Sequence, residues 1–90
     1  MSLGTKTKDP DAVLDYKIDW STWLGADTIA TSSWELPPGI TKDSDSNTTT
    51  DTTIWVSGGN KGQKYTVVNR IATTAGRTDD RSFVLSVSEK

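Results

Sequence analysis

The sequence predicts an all-β domain, and three observations predict it. Apolar and polar side chains alternate with period two in several separate segments, as half-buried strands require. Turn signals built on Gly, Pro, Asn and Asp recur at roughly eight-to-twelve-residue spacing. Serine and threonine supply about a quarter of the residues, a composition that suits pleated strands and turns and lowers helix propensity.

Taken in order, residues 1–11 read as a flexible lead-in with Pro10, alternating charges and nothing to bury. Residues 12–90 read as one domain. Its first strand is 13–20, where Leu14, Tyr16, Ile18 and Trp20 alternate with Asp15, Lys17 and Asp19. A turn over 21–27 contains Gly25. The second strand is 28–36, and the parities of Ile29, Trp34 and Leu36 require a bulge near Ser32 and Ser33. Pro37-Pro38-Gly39 ends it, because proline donates no ladder hydrogen bond. Ile40 and Thr41 begin a short strand, and the polar run 42–51 reads as an exposed connection. The strand 52–57 puts Ile54 and Val56 on one face and Trp55 on the other. Gly58-Gly59-Asn60-Lys61-Gly62 is a turn. Residues 65–73 alternate Tyr65, Val67, Asn69 and Ile71 against Thr66, Val68 and Arg70. The segment 74–80 joins them to a last strand, 81–88, with Phe83, Leu85 and Val87 inward.

About seven short strands in this spacing predict an immunoglobulin-like β-sandwich, with a small OB-type barrel as the alternative. Tyr65 stands at the start of a strand just after a glycine turn. In such sandwiches a tyrosine there folds back and hydrogen-bonds to upstream backbone; the other reading makes it one more core aromatic.

Composition bounds the function. Ninety residues make one small domain. The chain has no histidine and no cysteine, which excludes Ser-His-Asp and Cys-His nucleophilic sites, imidazole or thiolate metal sites, and disulfides. Ten basic against twelve acidic side chains leave a net charge of −2, with the cations scattered singly, so no nucleic-acid partner is expected. No apolar run approaches the roughly 18 residues of a membrane span, so no membrane partner is expected. The polar N-terminal stretch lacks the apolar core of a signal peptide, which places synthesis in the cytoplasm.

Few constellations offer chemistry. Asp43, Asp45 and Asn47 place oxygen ligands at alternate positions, as at the start of an EF-hand loop, with Asp51 as an extra ligand. Thr48 stands where that loop needs glycine and Ile54 where it needs a bidentate glutamate. The competing reading is a solvated loop. Paired carboxylates at Asp15 and Asp19, or at Asp79 and Asp80, lie beside cations and read as surface charge rather than a hydrolytic pair. No cofactor is expected. Of four tryptophans, Trp20 and Trp34 read as core, whereas Trp55 and Trp23 are candidate contact residues for a partner or a sugar.

One pattern spans nearly the whole chain. Lys8-Asp9-Pro10-Asp11 precedes Val13-Leu14-Asp15-Tyr16-Lys17-Ile18-Asp19-Trp20. Asp27-Thr28-Ile29-Ala30 follows with Ser33-Trp34, then Trp55-Val56-Ser57-Gly58-Gly59, and finally the run from Thr73 to Phe83. This order and spacing resembles a family of small proteins found among the structural genes of tailed phages and prophages, often labelled fiber–tail adaptor. The resemblance implies a non-enzymatic, immunoglobulin-like structural or adaptor component of the virion, acting in the head–tail or tail-fiber region. It would bind other virion proteins or itself, and would reside in the particle, or in the bacterial cytoplasm before assembly. In that setting Arg77, Asp79, Asp80 and Arg81 are candidate docking residues. The competing reading pairs the two arginines with Asp79, Asp80 or Asp19 of the same chain. The alternative function is a carbohydrate-binding or adhesive module that uses Trp55 and Trp23 on a glycan.

Overall fold

The computed structural model describes residues 2–88. Residue 1 of the expected lead-in and residues 89–90 of the expected domain lie outside the described residues. The period-two runs form the centre of the fold. In β6 (Lys64–Thr73) Tyr65, Val67, Asn69, Ile71 and Thr73 are buried and alternate with exposed or half-buried residues. In β7 (Thr78–Val87) Phe83, Leu85 and Val87 are buried on the same face. The two form an antiparallel hairpin from Lys64↔Ser86 to Ala72↔Thr78. The strand therefore starts earlier than Arg81, and the connection shrinks to 74–77, where Gly76 takes a positive φ of 92°.

β3 (Ile29–Glu35) pairs antiparallel with β6, and its register shifts between Ile29 and Thr31. The expected bulge exists, two residues earlier than Ser32 and Ser33. β1 (Ser2–Lys8) pairs in parallel with β7, completing a four-stranded sheet in the order β1-β7-β6-β3. The lead-in expected over 1–11 is corrected here, since residues 2–8 are an edge strand. Gly4 through Thr7 are exposed, so the strand forms by backbone pairing and leaves no apolar alternation in the sequence. Its last residue does bury: Lys8 is inaccessible, and its Nζ donates to the carbonyls of Gly58 (2.7 Å) and Asp9 (2.9 Å).

The second sheet has the order β2-β5-β4, all antiparallel. It comprises β2 (Leu14–Asp19), β4 (Ile40–Asn47) and β5 (Asp51–Gly58). β5 buries Thr52, Ile54 and Val56 and turns Trp55 out, as expected. β4 is a second correction. The strand beginning at Ile40 continues through most of the polar run, and only 48–50 is turn. Past Ile40 every residue of β4 is exposed, so this edge strand is polar on both faces and gave no hydrophobic signal.

Between β2 and β3 the chain makes one helical turn, α1 (Ser21–Leu24). Asp19 Oδ1 accepts from the Ser21 N–H (2.9 Å) at its start, and Gly25, at φ 61°, ends it. The sheets face each other over a core of Ile18, Trp20, Leu24, Ile29, Trp34, Ile40, Ile54, Val56, Tyr65, Val67, Ile71, Phe83, Leu85 and Val87. Each such side chain taken from water stabilises by about 1.5–3 kcal/mol. The expected two-sheet β-sandwich is the observed architecture. Tyr65 folds over the β5–β6 corner, where its Oη accepts the backbone N–H of Asn60 (3.0 Å). Its ring lies so close to Gly39 (φ 106°) that a Cβ there would stand 2.8 Å from it.

Candidate functional site

The strand directions bring α1 and the turns 48–50 and 74–77 to one end of the sandwich. Backbone bonds tie them together there: Trp20 N–H to Thr50 O (2.9 Å), Ile29 N–H to Thr49 O (2.9 Å) and Thr74 N–H to Thr28 O (2.9 Å). The charged hairpin of the sequence reading sits at this end, and it turns inward. Arg77 Nε donates to Asp27 Oδ2 (3.1 Å) and its Nη2 to the Leu24 carbonyl (3.0 Å). Its guanidinium lies 4.3 Å from the centroid of the Trp23 ring. Arg81 lies 4.2 Å from the Trp20 ring and donates from Nη1 to the Asp19 carbonyl (3.1 Å). Trp20 and Trp23 meet edge to face at 5.5 Å. Two arginines and two indoles therefore form one continuous ladder that closes this end.

Within the chain Arg81 meets Asp19, one of the expected partners, whereas Arg77 takes none of the three expected carboxylates. Arg77 takes the Asp27 carboxylate, and Arg81 takes a backbone carbonyl of Asp19 rather than its side chain. Asp80 pairs instead with Arg70, directly opposite in the β6–β7 register (3.1 Å), and Asp79 Oδ1 accepts the N–H of Asp80 (2.9 Å). Asp27, which opens one of the segments of the family pattern but to which the sequence assigns no role, is the hub. It accepts from the backbone N–H groups of Thr28 (2.8 Å) and Ala75 (3.1 Å) as well as from Arg77. These contacts, led by the Thr73 hydroxyl and opposed by partial desolvation, lower its pKa to about 2.

The candidate cation ligands are not brought together. β4 carries a register shift between Lys42 and Ser44. Beyond it, Asp45 and Asn47 stand opposite Ile54 and Thr52, on the inward-facing side of the sheet. Asp43 instead accepts from the Ser57 hydroxyl (2.9 Å), on the outer face. Asp45 contacts Lys42 (3.3 Å) and Asp51 contacts Lys17 (3.6 Å). Among the described residues no group of three or more acidic side chains is placed to hold a metal ion. The surface depressions lined by Arg70 and Thr78 to Asp80, by Ala26 to Thr28 with Thr74 and Ala75, and by Glu35 to Pro37 with Lys64, Thr66 and Val68 are open to solvent.

The two candidate tryptophans also separate. Trp23 is half-buried under Arg77 at the ladder end. Trp55 is 42% exposed on the outer face of the three-stranded sheet, between Asp15 of β2 and Ser44 of β4. Val13 (53% exposed) precedes β2 at the parity of Asp15 and so shares the outer face with Trp55, whereas Leu14 (38%) has the other parity and stands opposite the buried Val56. These three are the exposed large hydrophobic residues among the described ones, and all belong to the neighbouring strands β2 and β5 and their approach. Sequence reading found Trp55 and missed Val13 and Leu14. Their position in an alternating run made them look like ordinary strand residues.

A search of curated proteins finds no match. A comparison with protein families does find one: the family described as podophage GP4 fiber-tail adaptor protein gp77 matches residues 8–86. The match runs from the buried Lys8 to the penultimate residue of β7, so it takes in the three-stranded sheet, β3, β6 and nearly all of β7, with the arginine–tryptophan ladder, Val13 and Trp55. With so much of the sandwich inside it, the chain belongs to this family of phage fiber–tail adaptor proteins.

Proposed function

We propose that the protein is a non-enzymatic structural adaptor of a tailed-phage particle. It joins other virion proteins by docking the outer face of the three-stranded sheet, which carries Val13 and Trp55. Family membership supports the structural role and the setting in the virion; the bacterial cytoplasm before assembly is our own placement. The absence of histidine and cysteine from the sequence is consistent with it. The observation that carries the surface is that Trp55 and Val13, two of the three exposed large hydrophobics among the described residues, share the outer face of the three-stranded sheet, while the tip arginines are engaged within the chain. A tryptophan with an exposed valine on the same face and rimmed by Asp15 and Lys17 has the make-up of an interface hot spot.

We read the sandwich as immunoglobulin-like. The strand order supports this: β2-β5-β4 matches the B-E-D part of one sheet of that fold, and β7-β6-β3 matches G-F-C of the other. The Tyr65 corner supports it as well. A glycan platform built on Trp55 and Trp23 is the less favoured reading, because Trp23 is covered by Arg77 at the ladder end.

The test is incorporation into particles. Lysates of the induced host are banded on a density gradient and the particle band is searched by mass spectrometry. The chain is expected in that band, and Val13→Asp with Trp55→Asp should move it to the soluble fraction. Absence of the unaltered chain from the band would overturn the adaptor reading. Normal incorporation of the double variant would overturn the assigned surface.

A further inference from the structure

We infer that the outer edge of β7 is a strand-acceptor site, and that a second copy of this chain fills it by reciprocal exchange of β1. The inference does not rest on the adaptor reading. β7 has β6 on one side and β1 on the other. β1 adds to it in parallel from Thr5↔Val84 to Lys8↔Val87, with a register break between Ser2 and Thr5. The side chains of Thr5, Lys6 and Thr7 are exposed, so this segment is held mainly through its backbone. Backbone pairing along an edge takes any extended strand of suitable register, which is the physics of strand addition.

Two contacts give the edge its selectivity. Lys8 is buried at the end of the strand with its Nζ on Gly58 O, and the Tyr16 hydroxyl donates to Thr7 O (3.0 Å). A second copy presents the same lysine and the same backbone in the same register, so exchange recovers both contacts. The hinge costs little. Residues 9–13 join an edge strand of one sheet to an edge strand of the other, and the turn is closed by Ala12 N–H to Asp9 O (3.1 Å) and Asp11 N–H to Asp9 Oδ1 (2.9 Å). Opened, five residues reach about 17 Å, enough to pass a strand to a neighbour. The family match begins at residue 8, so the exposed part of β1 lies outside the matched sandwich whose edge it covers. Exchange of an identical edge element is a low-cost route to a closed two-fold dimer.

The chain has no cysteine, so introduced thiols report cleanly. Thr5→Cys and Val84→Cys are made in separate full-length chains, mixed at high concentration, incubated and oxidised. These positions are direct partners in the β1–β7 register, within disulfide reach. Exchange predicts a disulfide-linked heterodimer, formed several-fold more than from Thr5→Cys mixed with Thr66→Cys, one strand further away. In parallel, unmodified chain mixed with an affinity-tagged copy should give mixed dimers by native mass spectrometry. Heterodimer no greater than the control, or a chain that stays monomeric at every concentration, would overturn the proposal.

Discussion

Asn69 is buried between the two sheets with its side-chain hydrogen bonds complete. Its Oδ1 accepts from Trp20 Nε1 (3.0 Å) and Thr52 Oγ1 (2.7 Å), while Nδ2 donates to Ser32 Oγ (3.0 Å) and the Ser33 carbonyl (2.9 Å). Trp20 and Thr52 belong to the three-stranded side and Asn69, Ser32 and Ser33 to the four-stranded side, so one amide ties the layers together where no disulfide exists. Asn69→Ala strands several buried polar groups at once. It should cost about 3–5 kcal/mol in urea unfolding. The arginine ladder makes a second prediction at this scale. Arg77→Ala with Arg81→Ala should lower the melting temperature by at least about 5 °C, since both residues lose a stacked indole and their hydrogen bonds to the chain. An unchanged melting temperature would return them to the role of free docking residues. The hub carboxylate titrates with a definite sign. Its pKa falls from 3.8 unfolded to about 2 folded, so its contribution is complete above about pH 4 and fades between pH 4 and 2. Thermal melts over that window should flatten in Asp27→Asn, and an unaltered slope would remove Asp27 as the cause.

The elements divide by how much of their side-chain surface faces the core. β5, β6 and β7 are flanked on both sides and face the core, so their side chains alternate and the sequence announces them. β1 and β4 are edges whose side chains are exposed from Gly4 to Thr7 and past Ile40. Backbone pairing alone makes them strands, and neither carries an alternation to read. The corner between β5 and β6 was legible for a different reason, since a tyrosine after a glycine turn is a local signal with a local partner. Tyr65→Phe keeps the ring against Gly39 and removes the bond from Asn60. It should cost about 1 kcal/mol, which is a fall in melting temperature of roughly 4–8 °C for a domain of this size. No fall would mean that water replaces the phenol without loss.

The whole molecule measures 41 × 22 × 20 Å, an elongated sandwich with loops at both ends and its exposed apolar cluster along one side. Side-on docking suits a part that bridges two neighbours. Val13→Asp with Trp55→Asp should therefore abolish particle incorporation while the chain still melts cooperatively well above the assembly temperature, because both side chains lie on the solvent face and outside the core. Equal losses of stability and incorporation would assign the cluster to the fold instead. By itself the sequence determined the all-β class, the inward face of the central strands, the outward turn of Trp55 and the tyrosine corner. Each of these is set by a residue's immediate neighbours and a period of two. Tertiary structure alone decided the rest. It made strands of two polar edges, turned Arg77 onto Asp27 some fifty positions away, dispersed the acidic run across two faces of β4, and set Val13 on the same outer face as Trp55. Those outcomes depend on which strands become neighbours, and contacts between residues distant in sequence leave no periodic trace in the chain.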